Sequence, residues 1–469
     1  MPTAQTKTVA LFASKLGYQT RSFESAARRL NVQLAYVTDR CHELTDPWND
    51  NAIAARFANP EEAAATAMQS LRQKSPDAIL ALGDAPAVAA AYAARGLGLV
   101  ANHPAAAEAC TNKFRMREVL RDAGLFDAPT NFWFRRIPLS PEPESALLGI
   151  QFPCVLKPLS LSASQGVMRA NNRDEFRAAA RRLSRLLERP DLQMKSPSSP
   201  REALVEEYVP GVEVAVEGIL IAGELKLLAI FDKPDPLEGP FFEESIYVTP
   251  SHFSAAQQSA IRDRAIQAIR AIGLTHGPVH AEFRINERGV WPIEVAARPI
   301  GGMCAASLSF VSSQHCPEPD SQNNSHASVV SSSESDPSLS APISLEEVIL
   351  RHTIGENIYH WQRESAASGV MMIPVPGSGI LENVTGIDQA KRVQHIMSVQ
   401  ITARLHDEIL AWPEGSSYLG FIFAKAESPA AAEHALRQAH SKLHFQIQPT
   451  LPVEHPVTGK VFDPRNSLL

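Results

Sequence analysis

The sequence predicts a mixed architecture, α/β over residues 1–105 and α+β beyond. Three observations carry this. Strand-like runs KTVALFA (7–13), LAYVT (34–38) and AILALG (78–83) alternate with helical patterns, the signature of a parallel sheet with crossover helices. From FPCVLKP (152–158) onward several strands follow one another across short turns, as antiparallel strands do. The length, 469 residues, exceeds what one core supports and suggests roughly two to four domains.

Taken in order, the N-terminal unit places FESAARRLN after the first strand and the Ala-rich helix EEAAATAMQSLRQK before the third. Gly83-Asp84 ends that third strand, where parallel sheets place ligands, although a plain turn reads equally well. TNKFRMREVLRDAG (111–124) reads as one helix with Thr111 as cap and Gly124 as stop. FPCVLKP then runs into the loop LSLSASQG, followed by the helix DEFRAAARRLSRLLE. ALVEEYVPG and VEVAVEGILIAGELKLLAIF hold three strands, two of them joined through Ala222-Gly223. Ser254 to Gln257 forms a capping box for a helix with Ile261, Ala265, Ile269 and Ile272 on one face and Gly273 at its end. Residues 311–343 turn to Ser, Pro, Asp, Glu and Asn, too poor in apolar side chains to offset ordering, and read as a disordered insert. The helix LEEVILRHTIG follows. Strands VMMIPVP and YLGFIFAKA with the helix AAAEHALRQAHSKL then complete a C-terminal α+β segment, 344–469.

Composition excludes several classes. With 44% hydrophobic and 20% charged residues and a net charge of −7, the chain lacks the basic surface that nucleic-acid binding needs. Its five cysteines contain no CxxC pair, which disfavours a disulfide framework or a zinc cluster. The apolar run Val9 to Ala13 is too short for a secretory leader. No run approaches the roughly 18 apolar residues of a membrane span, so a soluble cytoplasmic enzyme is expected.

The most informative segments are VHAEFRI and VWPIEVAAR. Val279, Ala281, Phe283 and Ile285 alternate with His280, Glu282 and Arg284. Trp291, Ile293, Val295 and Ala297 alternate with Pro292, Glu294, Ala296 and Arg298. Joined by NERG, they predict an antiparallel hairpin whose apolar faces coincide when Asn286 to Val290 form the loop and Ile285 opposes Trp291. Glu282 then opposes Glu294, and His280 opposes Ala296. Carboxylates so placed have Cβ atoms about 5 Å apart, so they require a proton, a cation or screening by water. Spacing alone does not choose between a solvated face and a cation site. An all-oxygen pair suits Mg²⁺. A zinc site on His276 and His280 would need a helix, which Gly277-Pro278 opposes.

Further motifs stand in chain order around this hairpin: Lys113 in TNKFRMREVL, Lys157 in FPCVLKP, SLSASQG (160–166), EEYVPGVE (206–213) and PIEVAARPIGG (292–302). In that order the chain resembles the ATP-grasp superfamily of carboxylate–amine ligases. The resemblance covers residues 105–310 in motif order and the whole chain in domain order. The Glu-x-x-x-Arg-x-x-Gly form, Glu294 to Gly301, is similar to that of amino-acid ligases. The resemblance implies an N-terminal pre-ATP-grasp domain (1–105), a nucleotide-binding domain (106–310) and a C-terminal segment that completes or extends it. It implies ATP with Mg²⁺ or Mn²⁺, and small carboxylate and amine substrates joined through an acyl phosphate. No nucleic-acid or membrane partner is implied, and a homodimer is the assembly it suggests.

By the same resemblance Lys113 and Lys157 neutralise phosphates, and Ser160, Ser164 and Gly166 belong to the loop that closes over them. Glu206, Glu207 and Val209 lie along the adenine, and Glu213 binds ribose. Glu282 and Glu294 hold the metal, and Arg298 binds phosphate or a substrate carboxylate. His280, Glu243, Glu244, Gly301 and Gly302 are candidates to face substrate. One departure is plain: many relatives carry asparagine where this chain has Ala296, which bears on metal stoichiometry. Two other outcomes use the same motifs, a carboxylase acting through carboxyphosphate and a non-catalytic MgATP-binding regulator. GxxxxGK[ST], GxGxxG and GxSxG are missing from the sequence, which disfavours P-loop, dinucleotide-binding and hydrolase readings.

Overall fold

The apolar strand Thr8–Ala13 is buried from Val9 onward and pairs in parallel with Gln33–Asp39 on one side and Ala78–Leu82 on the other. Ile53–Ala55 adds an edge strand beside Gln33–Asp39. The computed structural model describes residues 6–15, 17–39, 52–126, 132–139, 147–195, 201–301, 303–313, 341–449, 453–454 and 461–462. In the N-terminal sheet Gly83 takes φ 108°, so the chain turns sharply off the strand and Asp84 opens the helix Asp84–Leu97 at the sheet's C-terminal end.

The expected helix over 111–124 is interrupted. Thr111 ends the helix Pro104–Thr111, and Asn112 is extended. The Asn112 side chain accepts from Arg115 N and so caps the next helix, Lys113–Asp122. Asparagine outcompetes threonine here because its carboxamide reaches the exposed amide while its backbone stays non-helical.

Two antiparallel sheets follow. The smaller has the order Phe134–Pro138, Glu202–Glu207, Cys154–Pro158, Met168–Ala170, and is backed by the amphipathic helix Arg173–Leu187 through Phe176, Ala180 and Leu183. The larger has eight strands in the order Gly289–Ala296, Gly277–Asn286, Val212–Ile221, Glu224–Lys233, Ile246–Thr249, Ala367–Ile373, Gly420–Ala426, Ile396–Ile401. Ser254 and Gln257 form the expected capping box, and Ile261, Ala265, Ile269 and Ile272 bury one face of the helix Ala255–Ile272. The C-terminal strands continue the sheet that begins at the hairpin. Most of the expected insert, 314–340, lies outside the described residues.

The hairpin register places Glu282 opposite Glu294 and His280 opposite Ala296, as the alternation predicts. The turn differs. Asn286 pairs with Gly289 and Ile285 with Val290, and a bulge between Glu282 and Phe283 restores the offset. Ile293 is the extra residue, and the bulge sits on an edge strand that also accommodates Pro292. Among the described residues no helix is long and apolar enough to cross a membrane.

Gly211, in the connection that leads from the smaller sheet into the strand Val212–Ile221, lies close against the hairpin. It takes φ 121°, and a Cβ there would lie 2.2 Å from Ile285 O. Gly211→Ala should therefore destabilise the protein by about 2 kcal/mol or more, through strain and a backbone clash. Urea unfolding checks this; a stability equal to that of the parent would contradict the close approach.

Candidate active site

The two sheets enclose a cleft of about 1400 Å³ whose walls carry Lys113, Lys157, Glu206, Glu207, Val209, Glu213, Glu244, His280, Glu282, Glu294 and Arg298. At its base lies a buried ionic cluster. Arg117 Nε and Nη2 donate to the two oxygens of Glu206 at 2.7 and 3.1 Å, and Lys157 Nζ pairs with Glu206 Oε1 at 2.5 Å. Burial alone would raise the Glu206 pKa, but Arg117 and Lys157 pull it down to about 2. Burial lowers the Lys157 pKa, and the nearby Arg117 and Lys113 charges act in the same direction against Glu206. Arg117 Nη2 also donates to Ile293 O at 2.9 Å, so the bulged carbonyl of the hairpin is tied into this cluster. Lys113 Nζ lies 3.2 Å from Glu294 Oε2 and donates to Leu161 O at 2.7 Å. Three cations thus face two carboxylates, leaving one positive charge in excess, as an anion site requires.

Beside this cluster the balance reverses. Lys233 Nζ is bonded by Glu213, Glu244 and Glu282 at 2.7, 2.8 and 2.8 Å. These three carboxylates present oxygens within 4.8 Å of one another. Burial pushes the Glu244 carboxyl up to about 7 despite the pull of Lys233. Glu282 is held well below the usual carboxylate range, because Lys233 and His280 outweigh burial. Arg284 spans Glu213 Oε2 at 3.0 Å and Val209 O at 2.8 Å, and also donates to Leu237 O. Val155, Tyr208, Leu237 and Phe242 pack together as a small apolar cluster that lines the cleft.

Several expected site residues have different surroundings from those the sequence suggests. Glu282 and Glu294 face each other in register, yet Glu294 pairs with Lys113 while Glu282 joins the Lys233 group. His280 reaches the cleft with both nitrogens engaged, Nδ1 on Glu217 and Nε2 on Glu282 at 3.4 Å. Those carboxylates raise its pKa to about 9 against the effect of burial, so it is an imidazolium. Arg298 lines the cleft and binds Asp84 through Nε at 2.6 Å. Ser160 and Ser164 line the cleft, whereas Gly166 is packed behind the loop, where a Cβ would lie 3.0 Å from Leu183 and Leu186. Glu243 turns away, accepting from Val375 N at 3.0 Å. Gly301 lines the cleft with open space around its Cα, and Gly302 lies outside the described residues.

Sequence reasoning missed Arg117, Lys233, Arg284, Glu217 and the partnership of Asp84 with Arg298. Arg117 is four residues from Lys113 on one helix face, a spacing that could have flagged it. Arg284 and Glu217 continue period-two patterns already visible around Glu282 and Glu213. Lys233 ends an apolar strand without any local sign of its three partners.

A small antiparallel sheet and a larger one closing on a cleft lined by lysines and carboxylates define a protein of the ATP-grasp fold. An ATP-grasp domain matches residues 150–307, and an L-amino acid ligase C-terminal domain 2 matches residues 371–448. The structure of an L-amino acid ligase from Bacillus licheniformis shares the fold, with a TM-score of 0.70 over 95% of this chain and 100% of its own, at 23% identity. The uncharacterised protein y4rH of Sinorhizobium fredii is 25% identical over 355 residues, 76% of this chain and 65% of its own length. Alanine–anticapsin ligase of Bacillus subtilis is 28% identical over 223 residues, 45% of this chain and 46% of its own. D-Alanine–D-alanine ligase of Gloeobacter violaceus is 30% identical over 180 residues, 37% of this chain and 53% of its own. The chain therefore spans 46% to 65% of the length of these relatives.

The Glu206 cluster has a defined acid limb. Its folded pKa lies below the ordinary value of 4.5, so the stabilisation is complete above about 4.5 and is lost as pH falls toward 2. Glu206→Gln should cost about 3 kcal/mol at pH 7, with the gap to the parent narrowing below pH 4.5. Urea titrations at pH 7 and pH 3.5 test this; a gap independent of pH would contradict the ion cluster.

Proposed function

We propose that the chain is an ATP-dependent ligase that joins a carboxylate to an amine, both from amino-acid substrates, through an acyl phosphate, releasing ADP and phosphate. The observation that carries this is the cleft's division of charge, Lys113, Arg117 and Lys157 in one cluster and Glu213, Glu244 and Glu282 in the other. The named activities of the alanine–anticapsin and D-alanine–D-alanine ligases favour amino-acid substrates.

In this reading the apolar cluster of Val155, Tyr208, Leu237 and Phe242 takes the adenine, with Glu207 and Val209 at its edge and Glu213 near the ribose. Glu213, Glu244 and Glu282 converge as an all-carboxylate donor set, which fits Mg²⁺ or Mn²⁺ and not a thiophilic ion, and Glu294, in register with Glu282 but paired with Lys113, would join it when the ion binds. When bound, the divalent ion neutralises phosphate oxygens and orients them. The Lys233 ammonium now within the acidic group shows that the carboxylates already share a cation. Lys113, Lys157 and Arg298 offset negative charge on the transferring phosphoryl group and on the substrate carboxylate. The loop Ser160–Gly166 excludes water that would hydrolyse the acyl phosphate. Asp84 holds Arg298 in place until an anion competes for the guanidinium.

A second reading, a non-catalytic MgATP-binding regulator, rests on Ala296, which is fully buried opposite His280. The two separate cleanly when ADP release is followed with pairs of amino acids and products are identified by mass. Ligation requires ADP release that depends on both substrates, with an amide product. ADP release that depends on bicarbonate alone would mark a carboxylase, and none with any carboxylate would leave the regulator.

Glu294→Gln and Lys157→Met should each lower kcat by about 10²-fold, and a chelator should abolish turnover until Mg²⁺ is restored. Full ligase turnover in Glu294→Gln would falsify its place in the metal site.

A further inference from the structure

The loop Ser160–Gly166 is fastened to one stretch of the C-terminal part. Trp412 Nε1 donates to Ala163 O at 3.0 Å, Gly166 N to Pro413 O at 2.8 Å, and Gln165 Nε2 to Glu414 O at 2.7 Å. Three successive residues of one segment thus bond three residues of a loop nearly 250 positions away. Glu414 is 3% exposed, and its carboxylate is forked by Arg182 Nε and Nη2 from the helix behind the loop, the latter at 2.7 Å. Arg189 Nη1 reaches the Glu414 carbonyl at 3.4 Å. Glu414 therefore grips the loop with its backbone and the helix with its side chain.

The loop needs such support. Ala163 and Ser164 take φ 55° and 53°, left-handed values that cost an L-residue about 1 kcal/mol each and persist only when neighbours hold them. The other end of the fastening segment faces the cleft. The Trp412 ring lies 5.0 Å from that of Tyr418, and both Tyr418 and Ser416 line the cleft wall.

We propose that Trp412 and Glu414 are positioning residues that hold the loop Ser160–Gly166 over the cleft and make its closure depend on the C-terminal wall. The role in turnover rests on the ligase reading; the fastening itself does not. Loosening the loop admits water to the acyl phosphate. Water oxygen then bonds to the acyl carbon, the carbon–oxygen bond to phosphate breaks, and the carboxylate and inorganic phosphate are released. ATP is consumed without amide product.

The test uses the full chain and three variants. Trp412→Phe keeps an aromatic ring beside Tyr418 but lacks the indole donor. Glu414→Gln keeps the shape but weakens the fork, and Arg182→Lys keeps the charge but loses bidentate geometry. Hydrogen exchange of the loop amides is measured without nucleotide, alongside melting temperature, KM for ATP, and the ratio of ADP to amide product. Loop exchange should rise about 5-fold in Trp412→Phe and about 10-fold or more in Glu414→Gln, with Arg182→Lys between. The ADP-to-product ratio should rise in the same order, while exchange in the N-terminal sheet stays unchanged. Unchanged loop exchange in the variants that fold overturns the proposal. So does a rise spread over the whole chain, or a loosened loop that leaves KM and the ratio untouched. If the parent chain releases no ADP with any substrate, the ligase reading fails instead, and loop exchange still decides the fastening.

Discussion

One carboxylate organises the base of the cleft. Glu206 is fully desolvated, and an isolated charge there would cost several kcal/mol, so it exists only because Arg117 and Lys157 approach from two sides. The two cations come from different elements, the helix Lys113–Asp122 and the strand Cys154–Pro158. Meeting this electrostatic demand therefore fixes how the smaller sheet is set against the rest of the protein. Arg117 extends the constraint to the hairpin by bonding Ile293 O at the bulge. Bulge, helix and sheet are held by one connected set of charges.

The acidic wall obeys the same rule with the signs exchanged. Glu213, Glu244 and Glu282 would repel one another strongly, and Lys233 lets them converge. His280, charged through Glu217, adds a second cation beside Glu282. Opposite His280 this chain has a small buried alanine, Ala296. The cleft holds its charged groups in place before any ligand enters, which limits the reorganisation that binding and chemistry require. The Trp412–Glu414 segment carries this ordering to the loop across the cleft.

Much of this was legible in the chain. Period-two alternation predicted the hairpin and its Glu282–Glu294 pairing, because a buried face penalises any slip of register. The capping box at Ser254 and the stop at Gly273 marked a helix whose apolar face is buried as expected. Lys157 was legible as a motif residue in FPCVLKP, but its buried pairing with Glu206 was not. Glu206 was legible as a motif residue, but its buried partner Arg117 went unread one helical turn from Lys113. The pairing of Ile285 was misjudged by one residue, since a tight turn plus a bulge gives the same offset as a longer loop.

The sequence by itself determined the alternating segments, the helix from the Ser254 cap to Gly273 and the set of charged residues available to the cleft, because these depend on neighbours within a few positions. Only the tertiary structure decided which charge meets which. Lys233 gathers carboxylates 11, 20 and 49 positions away, Arg298 reaches Asp84 across 214, and Gln165 reaches Glu414 across 249. Ion pairs and hydrogen bonds depend on distance in space and on shared burial. Neither is encoded in local periodicity, and both appear only when the sheets close on one another.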